Sequence, residues 1–228
     1  MASIAANLQA VRDRIARAAQ SAGRRPEEIL LLAVSKTFPA GHIAEAYAAG
    51  QTAFGENHVQ EAVEKITVLA AHPLEWHFIG PIQSNKTRLI AQHFSWVHSV
   101  ERDKIAERLN AARPEGAAPL NVCIQVNVSG EATKSGVAPG EEAQLADAIA
   151  RLPRLRLRGL MAIPEPTSDV ALQRRRFALL RELKDGLRAR GHALDTLSMG
   201  MTDDFEAAIL EGATIVRVGT AIFGARNK

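Results

Sequence analysis

Residues 29–37 read ILLLAVSKT, an unbroken aliphatic run that ends on Lys36 and Thr37. The segment PAG at residues 39–41 follows and breaks the run. Together they predict a buried strand that presents the Lys36 amine at its end. Because burial disfavours a charged amine, the neutral nucleophilic form becomes accessible near neutral pH, as a Schiff-base lysine requires. The alternative is a lysine that reaches from the strand end into solvent.

The end of the chain carries a second β-branched run, ATIVRVGTAIFG at residues 213–224. Arg217 lies there between two valines, where an unpaired charge would be costly, so it is expected to face a partner or a ligand. Gly219 and Thr220 offer backbone N–H groups and a hydroxyl, which are typical of a phosphate-binding turn. The segment LSMGMTDD at residues 197–204 is a second turn of this kind and contains Ser198.

Strand and helix patterns alternate along the whole chain. Strands are predicted at residues 29–37, 52–56, 75–80, 96–100, 120–128, 155–163, 194–199 and around Arg217. Helices are predicted between them at residues 39–49, 58–71, 84–92, 101–112, 140–152, 170–190 and 203–211. An additional amphipathic helix precedes the first strand at residues 4–23, with Leu8, Val11, Ile15, Ala18 and Ala19 on one face.

This alternation, with strands that are mostly apolar, favours a parallel sheet covered by helices. Eight such units in 228 residues predict an α/β fold, a (β/α)8 TIM barrel with an extra N-terminal helix. A doubly wound open sheet is the alternative, but no glycine-rich fingerprint follows the first strand. In a barrel the first and last strands are neighbours, so Lys36 and residues 217–220 are expected to meet at the carboxyl-terminal face.

Composition limits the class of protein. The 28 basic residues are nearly matched by 25 acidic ones, and aromatic residues make up only 4%, which argues against a nucleic-acid interface. The basic run at residues 174–176 fits a solvated helix face, and the single cysteine, Cys123, excludes an intramolecular disulfide. The apolar runs are too short for a membrane span, and no signal peptide is recognised. We expect one domain over residues 1–228, acting as a cytoplasmic monomer.

Other candidate residues allow two interpretations each. His77, inside the strand at 75–80, is either a hydrogen-bonded core histidine or a catalytic one. Asn57 is predicted to cap the helix at 58–71, with Gln60 completing a capping box, and it could also contact a ligand at the strand end. Met161 and Met199 lie near strand ends and could fill the barrel or contact a cofactor. The histidines have no metal-ligand spacing, so no metal site is predicted.

Five motifs, in order along nearly the whole chain, carry a resemblance to a known family. They are AVSKT at residues 33–37, FGEN at 54–57, WHFIGPIQSNK at 76–86, LSMGMTDDF at 197–205 and VRVGTAIFG at 216–224. This set resembles the pyridoxal 5′-phosphate homeostasis protein family, single-domain relatives of the alanine racemase barrel. That family binds pyridoxal 5′-phosphate (PLP) without an established catalytic turnover. Thr202 stands where the family pattern has serine, which keeps a hydroxyl in place.

The resemblance implies roles for individual residues. Lys36 would be the Schiff-base lysine, and Arg217 would be the partner of the pyridine nitrogen. Ser198, Gly219 and Thr220 would hold the phosphate. With the strand-end candidates, the expected cofactor-binding set is Lys36, Asn57, His77, Met161, Ser198, Met199, Arg217, Gly219 and Thr220.

Three classes of function are compatible with these residues. The first is a PLP carrier or regulator that delivers the cofactor to PLP-dependent apo-enzymes without substantial turnover. The second is a PLP-dependent amino-acid racemase, which needs a second acid or base opposite the lysine, and the single tyrosine, Tyr47, lies in a helix away from strand ends. The third is a cofactor-free Schiff-base aldolase, which has no use for Arg217. The first class is our prediction.

Overall fold

A closed barrel of eight parallel strands forms the centre of the molecule, in the order β1 to β8. The structure, a computed structural model, describes residues 3–131 and 135–225. Its strands are β1 (Leu30–Val34), β2 (Ala53–Glu56), β3 (Glu75–Phe78), β4 (Trp96–Val100), β5 (Leu120–Gln125), β6 (Leu155–Met161), β7 (Thr196–Ser198) and β8 (Ile215–Val218). The predicted (β/α)8 barrel with an extra N-terminal helix is confirmed.

Helices surround the barrel, and all of them except the first and the last connect consecutive strands. They are α1 (Ile4–Ser21), α2 (Ala40–Ala48), α3 (Val59–Val68), α4 (Thr87–His93), α5 (Asp103–Ala112), α6 (Glu142–Ile149), α7 (Val170–Ala189), α8 (Phe205–Leu210) and α9 (Thr220–Phe223). Short 3-10 turns, Pro26–Glu28 and Ser84–Lys86, precede β1 and α4. No helix in the described part of the chain is both long enough and apolar enough to cross a bilayer.

The closure between β1 and β8 brings the two ends of the sequence together. Leu32 is paired with Arg217, and Ala33 is paired with Val218. On its other side, Ala33 is paired with Phe54 of β2. Because all strands are parallel, the residues that follow β1, β2 and β8 emerge at the same carboxyl-terminal face.

The additional helix α1 fastens the end of the chain to the barrel. Ser3 caps its start, and the predicted apolar face is buried. The Asn7 side chain donates to the Ile222 carbonyl at 2.9 Å, and the Arg14 guanidinium lies 4.4 Å above the Phe205 ring. The helix therefore packs against α8 and α9, which follow the strands that carry the second half of the predicted site.

Side chains on each strand alternate between two hydrophobic layers. Outward-facing residues such as Trp76 and Phe78 pack between the barrel and its helices. A smaller cluster fills the barrel interior, formed by Leu32, Ala53, Trp96, Cys123, Met161 and Ile215. The polar side chains of His77, His98, Ser198 and Arg217 share this interior with them.

Several predicted boundaries were wrong at the carboxyl ends of the strands. The strand predicted at 29–37 ends at Val34, the strand predicted at 120–128 ends at Gln125, and the one predicted at 155–163 ends at Met161. After β5 and β6 the apolar sequence continues beyond the strand end, whereas β1 is followed by the polar residues 35–37. Hydrophobicity indicates burial, and the loops at this face are themselves partly buried around the site. A run of apolar residues therefore overestimates the length of the strand.

The predicted helix cap at Asn57 was also wrong. Helix α3 begins at Val59, and its N-cap residue is His58, which makes no side-chain capping hydrogen bond. The Asn57 Oδ1 atom is instead buried without a hydrogen-bond partner among the described residues. Asn57 therefore belongs to the loop after β2 rather than to the helix, and its side chain is left for another role.

Candidate functional site

A cavity of about 340 Å³ opens at the carboxyl-terminal face of the barrel. Its walls come from the segments that follow β1, β2, β3, β6, β7 and β8. The lining residues include five of the predicted cofactor-binding residues: Lys36, Asn57, Arg217, Gly219 and Thr220. The segment Met201, Thr202 and Asp203 closes the same cavity from the loop before α8. Residues nearly 200 positions apart in sequence therefore share one site.

Lys36 lies two residues beyond the end of β1, and its half-buried side chain lines the cavity. The preceding residue, Ser35, is fully buried, and its amide extends the pairing with β2 by donating to the Gly55 carbonyl at 3.0 Å. Thr37, which follows, has a φ of 69°, in the left-handed region that a threonine rarely adopts. The lysine is thus presented at a fixed point where the extended chain turns sharply toward α2.

A buried cluster of charges holds the two residues on either side of Lys36. The Lys65 ammonium of α3 donates to the Ser35 carbonyl at 2.9 Å, to Glu56 at 2.8 Å and to Glu61 at 2.6 Å. Glu61 in turn accepts from the Thr37 amide at 2.7 Å, and Glu56 accepts from the Ser35 hydroxyl at 2.6 Å. The cluster therefore fixes the backbone before and after Lys36.

The two carboxylates of this cluster differ in their environment. Burial raises the pKa of Glu56, although the charge and hydrogen bond of Lys65 act in the opposite direction. Partial burial also acts to raise the pKa of Glu61, but hydrogen bonds from Lys65 and the Thr37 amide outweigh it, and that pKa is lowered. The sequence analysis missed this cluster, because a lysine four residues after a glutamate on a helix is typical of a solvated pair.

Arg217 lines the cavity, and two hydrogen bonds to neighbouring groups hold its side chain in place. It is only 3% exposed, and it donates to the Ser198 hydroxyl at 2.7 Å and to the Ala162 carbonyl at 2.8 Å. Burial lowers its pKa to about 10, opposed by the charge of Asp204. The guanidinium remains a cation near neutral pH, and its orientation is fixed from two sides.

Ser198 lies outside the cavity, contrary to its predicted role as a phosphate ligand. Its side chain is fully buried, and its hydroxyl lies between Arg217 and the Nδ1 atom of His98, the latter at 2.7 Å. Ser198 ends β7 on the interior side of the barrel, one layer below the site. Its hydroxyl therefore supports Arg217, and its contact with a phosphate stays a prediction.

His77 also lies in the barrel interior and does not line the cavity. Both its ring nitrogens are engaged, Nδ1 with His98 at 2.9 Å and Nε2 with Glu75 at 2.7 Å. Burial lowers its pKa, although Glu75 opposes the shift. Of the two interpretations of His77, the structure favours the hydrogen-bonded core histidine over a residue that contacts the cofactor.

The two predicted methionines are packing residues. Met161 is fully buried in the cluster that fills the barrel interior, and Met199 is fully buried in the layer between the barrel and the helices. Neither lines the cavity. A strand-end position in sequence does not by itself decide whether a side chain faces the site, because successive residues point to opposite faces.

The turns that close the cavity depend on glycine. Gly200 has a φ of 93°, and a Cβ there would lie 2.7 Å from the Ala208 side chain. A Cβ on Gly219 would lie 3.1 Å from the Val34 carbonyl oxygen, so the chain after β8 passes directly against the end of β1. Gly219 and Thr220 then turn into the short helix α9, which leaves backbone N–H groups and the Thr220 hydroxyl at the cavity.

No group of three or more His, Cys, Asp or Glu side chains suited to a metal ion occurs within residues 3–131 and 135–225. The groups at the cavity include a lysine amine, a guanidinium, the Asp203 carboxylate, hydroxyls, backbone amides and the buried amide oxygen of Asn57. Such a set can bind an anion at the Gly219–Thr220 turn and can form a covalent bond to a carbonyl at Lys36.

Comparison with known proteins places this site in a family. The family model described as the alanine racemase N-terminal domain matches residues 6–227. The pyridoxal phosphate homeostasis protein of Pseudomonas aeruginosa is 63% identical over 227 residues, covering 100% of this chain and 97% of the relative. The protein of the same name from Escherichia coli strain K12 is 57% identical over 233 residues, covering 100% and 98%.

A solved structure agrees with both matches. PipY of Synechococcus elongatus PCC7942, solved with PLP bound, superimposes with a TM-score of 0.85 at 37% identity, covering 97% of this chain and 100% of that one. The sequence motifs, the barrel and these relatives lead to the same assignment. The chain belongs to the pyridoxal phosphate homeostasis protein family, within the wider family of the alanine racemase N-terminal domain.

Proposed function

We propose that this protein binds PLP covalently through Lys36 and acts in PLP homeostasis as a carrier or regulator without substantial turnover. In this proposal it works as a cytoplasmic monomer and delivers the cofactor to PLP-dependent apo-enzymes. The observation that carries the proposal is that Lys36, Arg217 and the Gly219–Thr220 turn line one cavity of about 340 Å³. That volume lies at the lower end of the range of small-molecule sites, about 300–1,000 Å³.

The residues present fit each part of PLP. The Lys36 amine suits an aldehyde, and the Arg217 guanidinium suits a ring nitrogen that accepts a hydrogen bond. The Gly219–Thr220 turn supplies backbone amides and a hydroxyl for a phosphate dianion. The buried Oδ1 atom of Asn57, which has no partner among the described residues, gives the cavity a further polar group that a ligand would satisfy.

The choice of arginine at the ring nitrogen favours binding over turnover. When bound, PLP supplies an aldehyde for covalent attachment and a ring that can withdraw electrons from an attached group. Arg217 donates hydrogen bonds but keeps its proton, since its pKa, though lowered, is about 10. A ring nitrogen that stays unprotonated is a weaker electron sink, which disfavours most carbanion chemistry other than racemisation.

The positions of the other candidate bases support a carrier over a racemase. Tyr47 lies on α2 with its ring 4.8 Å from that of His72, and it does not line the cavity. His77 is enclosed in the barrel interior with both nitrogens engaged. Among the described residues that line the cavity, Asp203 is the one carboxylate. A cofactor-free aldolase would use Lys36 but would leave Arg217 without a role.

The proposal is tested by measuring turnover and cofactor transfer with the same PLP-loaded protein. We expect alanine and serine racemisation, decarboxylation and transamination to stay near the background of PLP alone, and PLP to pass to an apo-enzyme that lacks it. Chiral chromatography after prolonged incubation gives the first result, and recovered apo-enzyme activity gives the second. Racemisation at an enzyme-like rate that disappears in Lys36→Ala would establish the racemase instead.

The phosphate turn gives a prediction of its own. Thr220→Val removes a hydroxyl while it keeps the shape of the side chain, so PLP binding should weaken by about 1–3 kcal/mol if that hydroxyl binds the dianion. Thr67→Val is the matched control, because the Thr67 hydroxyl bonds to the Val63 carbonyl on the exposed face of α3. Equal PLP affinities in both variants, measured by fluorescence titration, would place the phosphate elsewhere.

A further inference from the structure

A chain of hydrogen bonds crosses the barrel interior from one mouth to the other. It begins at the carboxyl-terminal face with Arg217, whose Nη1 donates to the Ser198 hydroxyl at 2.7 Å. The Ser198 Oγ lies 2.7 Å from His98 Nδ1, and His98 Nε2 lies 2.9 Å from His77 Nδ1. His77 Nε2 lies 2.7 Å from the Glu75 carboxylate. The chain thus ends at the first residue of β3, at the amino-terminal mouth.

The two ends of this chain set the direction of every bond in it. A guanidinium can only donate, and an ionised carboxylate can only accept. Because Glu75 accepts, His77 carries its proton on Nε2, and as a neutral ring it accepts at Nδ1. His98 must then carry its proton on Nε2 and accept at Nδ1, so the Ser198 hydroxyl donates to His98 while it accepts from Arg217. One arrangement of protons satisfies all four bonds.

The surroundings keep both rings neutral and in place. Burial, together with the charge of Arg217, holds the pKa of His98 well below its usual range, and burial also lowers the pKa of His77. The His77 ring is stacked on Trp96 with its centroid 5.3 Å away and the planes 6° apart. At the outer end, the hydrogen bond from His77 lowers the pKa of Glu75, and the nearby charge of Arg158 adds to this.

This chain of hydrogen bonds also explains how the barrel interior accommodates the Arg217 cation. Arg217 is buried, and its two hydrogen-bond acceptors, the Ser198 hydroxyl and the Ala162 carbonyl, are neutral. A buried charge held only by neutral groups is costly unless those groups are themselves polarised. Hydrogen bonds in a chain polarise one another, so a carboxylate at the far end makes each acceptor along the chain stronger.

We propose that Glu75, His77, His98 and Ser198 form a directional hydrogen-bond relay that holds the Arg217 guanidinium in its orientation toward the cavity and links its charge to a carboxylate at the opposite mouth of the barrel. These four are positioning residues, since none of them lines the cavity. The link to PLP affinity rests on the proposed function, whereas the relay itself is a property of the protein without cofactor.

The first test uses the cofactor-free protein and heteronuclear NMR of the imidazole nitrogens. In the wild type we expect His77 and His98 to be neutral with the proton on Nε2 near neutral pH. In Glu75→Gln the amide can either accept or donate, so the end of the chain no longer sets the direction, and His98 should gain a population protonated on Nδ1. An imidazolium, or a proton on Nδ1 of either ring in the wild type, would overturn the relay.

The second test measures PLP affinity in the same variants. Glu75→Gln should weaken binding about two- to fivefold through the loss of polarisation along the chain. Ser198→Ala should weaken it about tenfold, because Arg217 loses one of its two acceptors. Glu27→Gln is the control, an equal change of charge on the 3-10 turn that precedes β1 at the same mouth of the barrel, and it should have no effect.

The outcomes separate the relay from the proposed function. A tautomer shift in Glu75→Gln without a change in PLP affinity, or affinity changes equal to those in Glu27→Gln, would overturn the link to the cavity. If the wild type did not bind PLP at all, the proposed function would fail, and the imidazole tautomers would still decide whether the relay exists.

Discussion

In Lys36→Ala, covalent capture of PLP is expected to be lost completely. The wild-type protein mixed with PLP should show an absorption band at the edge of the visible range, and borohydride reduction should fix the cofactor to Lys36. No other lysine among the described residues lines the cavity, so the variant should show neither the band nor the adduct. Absorbance spectra and peptide mapping after reduction measure both.

Lys86→Ala is the matched control for this experiment. Lys86 ends the 3-10 turn Ser84–Lys86 that follows β3, but it does not line the cavity. The control should retain the band and the adduct. Weak, reversible PLP binding should persist in Lys36→Ala, because Arg217 and the Gly219–Thr220 turn are unchanged. A label that maps to Lys86 in the wild type would show that the covalent site has been assigned to the wrong lysine.

The barrel could be predicted from sequence because its signals are local. Each strand is an apolar run of a few residues, each helix has an amphipathic period, and their strict alternation leaves few topologies. The position of Lys36 beside residues 217–220 followed from closure alone. Local signals could not predict the residue at which strand pairing stops. Apolar residues such as Val126 and Val128 remain buried after the end of β5, so hydrophobicity does not mark the end of the strand.

The interior layer of the site was the part that sequence reasoning missed. Whether Ser198 faces a ligand or lies beneath Arg217 depends on strand register, because a shift by one residue reverses the facing of each side chain. The sequence analysis placed His77 and His98 in separate elements and did not predict their contact. Each lies on its strand between outward-facing residues, so the two-residue period of a strand predicts that both histidines face the barrel interior. Their contact needs the pairing of β3 with β4, in which His77 lies opposite Trp96, two residues before His98.

The buried cluster of Glu56, Glu61 and Lys65 was missed for a different reason. On a helix, Glu61 and Lys65 have the spacing of an exposed ion pair, and such pairs contribute little to stability. Only tertiary packing shows that the Lys65 side chain is 7% exposed and reaches a fully buried carboxylate on β2. A substitution at Lys65 therefore distinguishes a solvated charge from one that holds the site.

Lys65→Met is expected to lower the free energy of unfolding by about 3–5 kcal/mol near neutral pH, the usual effect of removing one partner from a buried ion pair. The apolar side chain keeps most of the volume but leaves the Glu56 carboxylate without its cation. The other oxygen of that carboxylate, Oε2, already has no partner among the described residues. Urea unfolding measures the loss, with Lys104→Met on the exposed face of α5 as a control expected to change little.

The pH dependence of Lys65→Met identifies Glu56 as the origin of the loss. The pKa of Glu56 is already raised by burial, and removing Lys65 takes away the charge that opposes this shift. For a carboxyl whose pKa is higher in the folded state, stability is retained below the unfolded-state pKa and lost as pH rises through the folded-state pKa. The variant should therefore be closest to wild type in acid, and adding Glu56→Gln should restore much of the lost stability near neutral pH.

The same substitution should also weaken PLP capture, because Lys65 and Glu61 hold the backbone on both sides of Lys36. The double variant Lys65→Met with Glu56→Gln separates the two effects, since it recovers folding without restoring the hydrogen bond from Lys65 to the Ser35 carbonyl. We expect it to be stable yet slower to form the adduct at Lys36. Wild-type capture rates in that variant would mean that the cluster stabilises the fold without positioning the lysine.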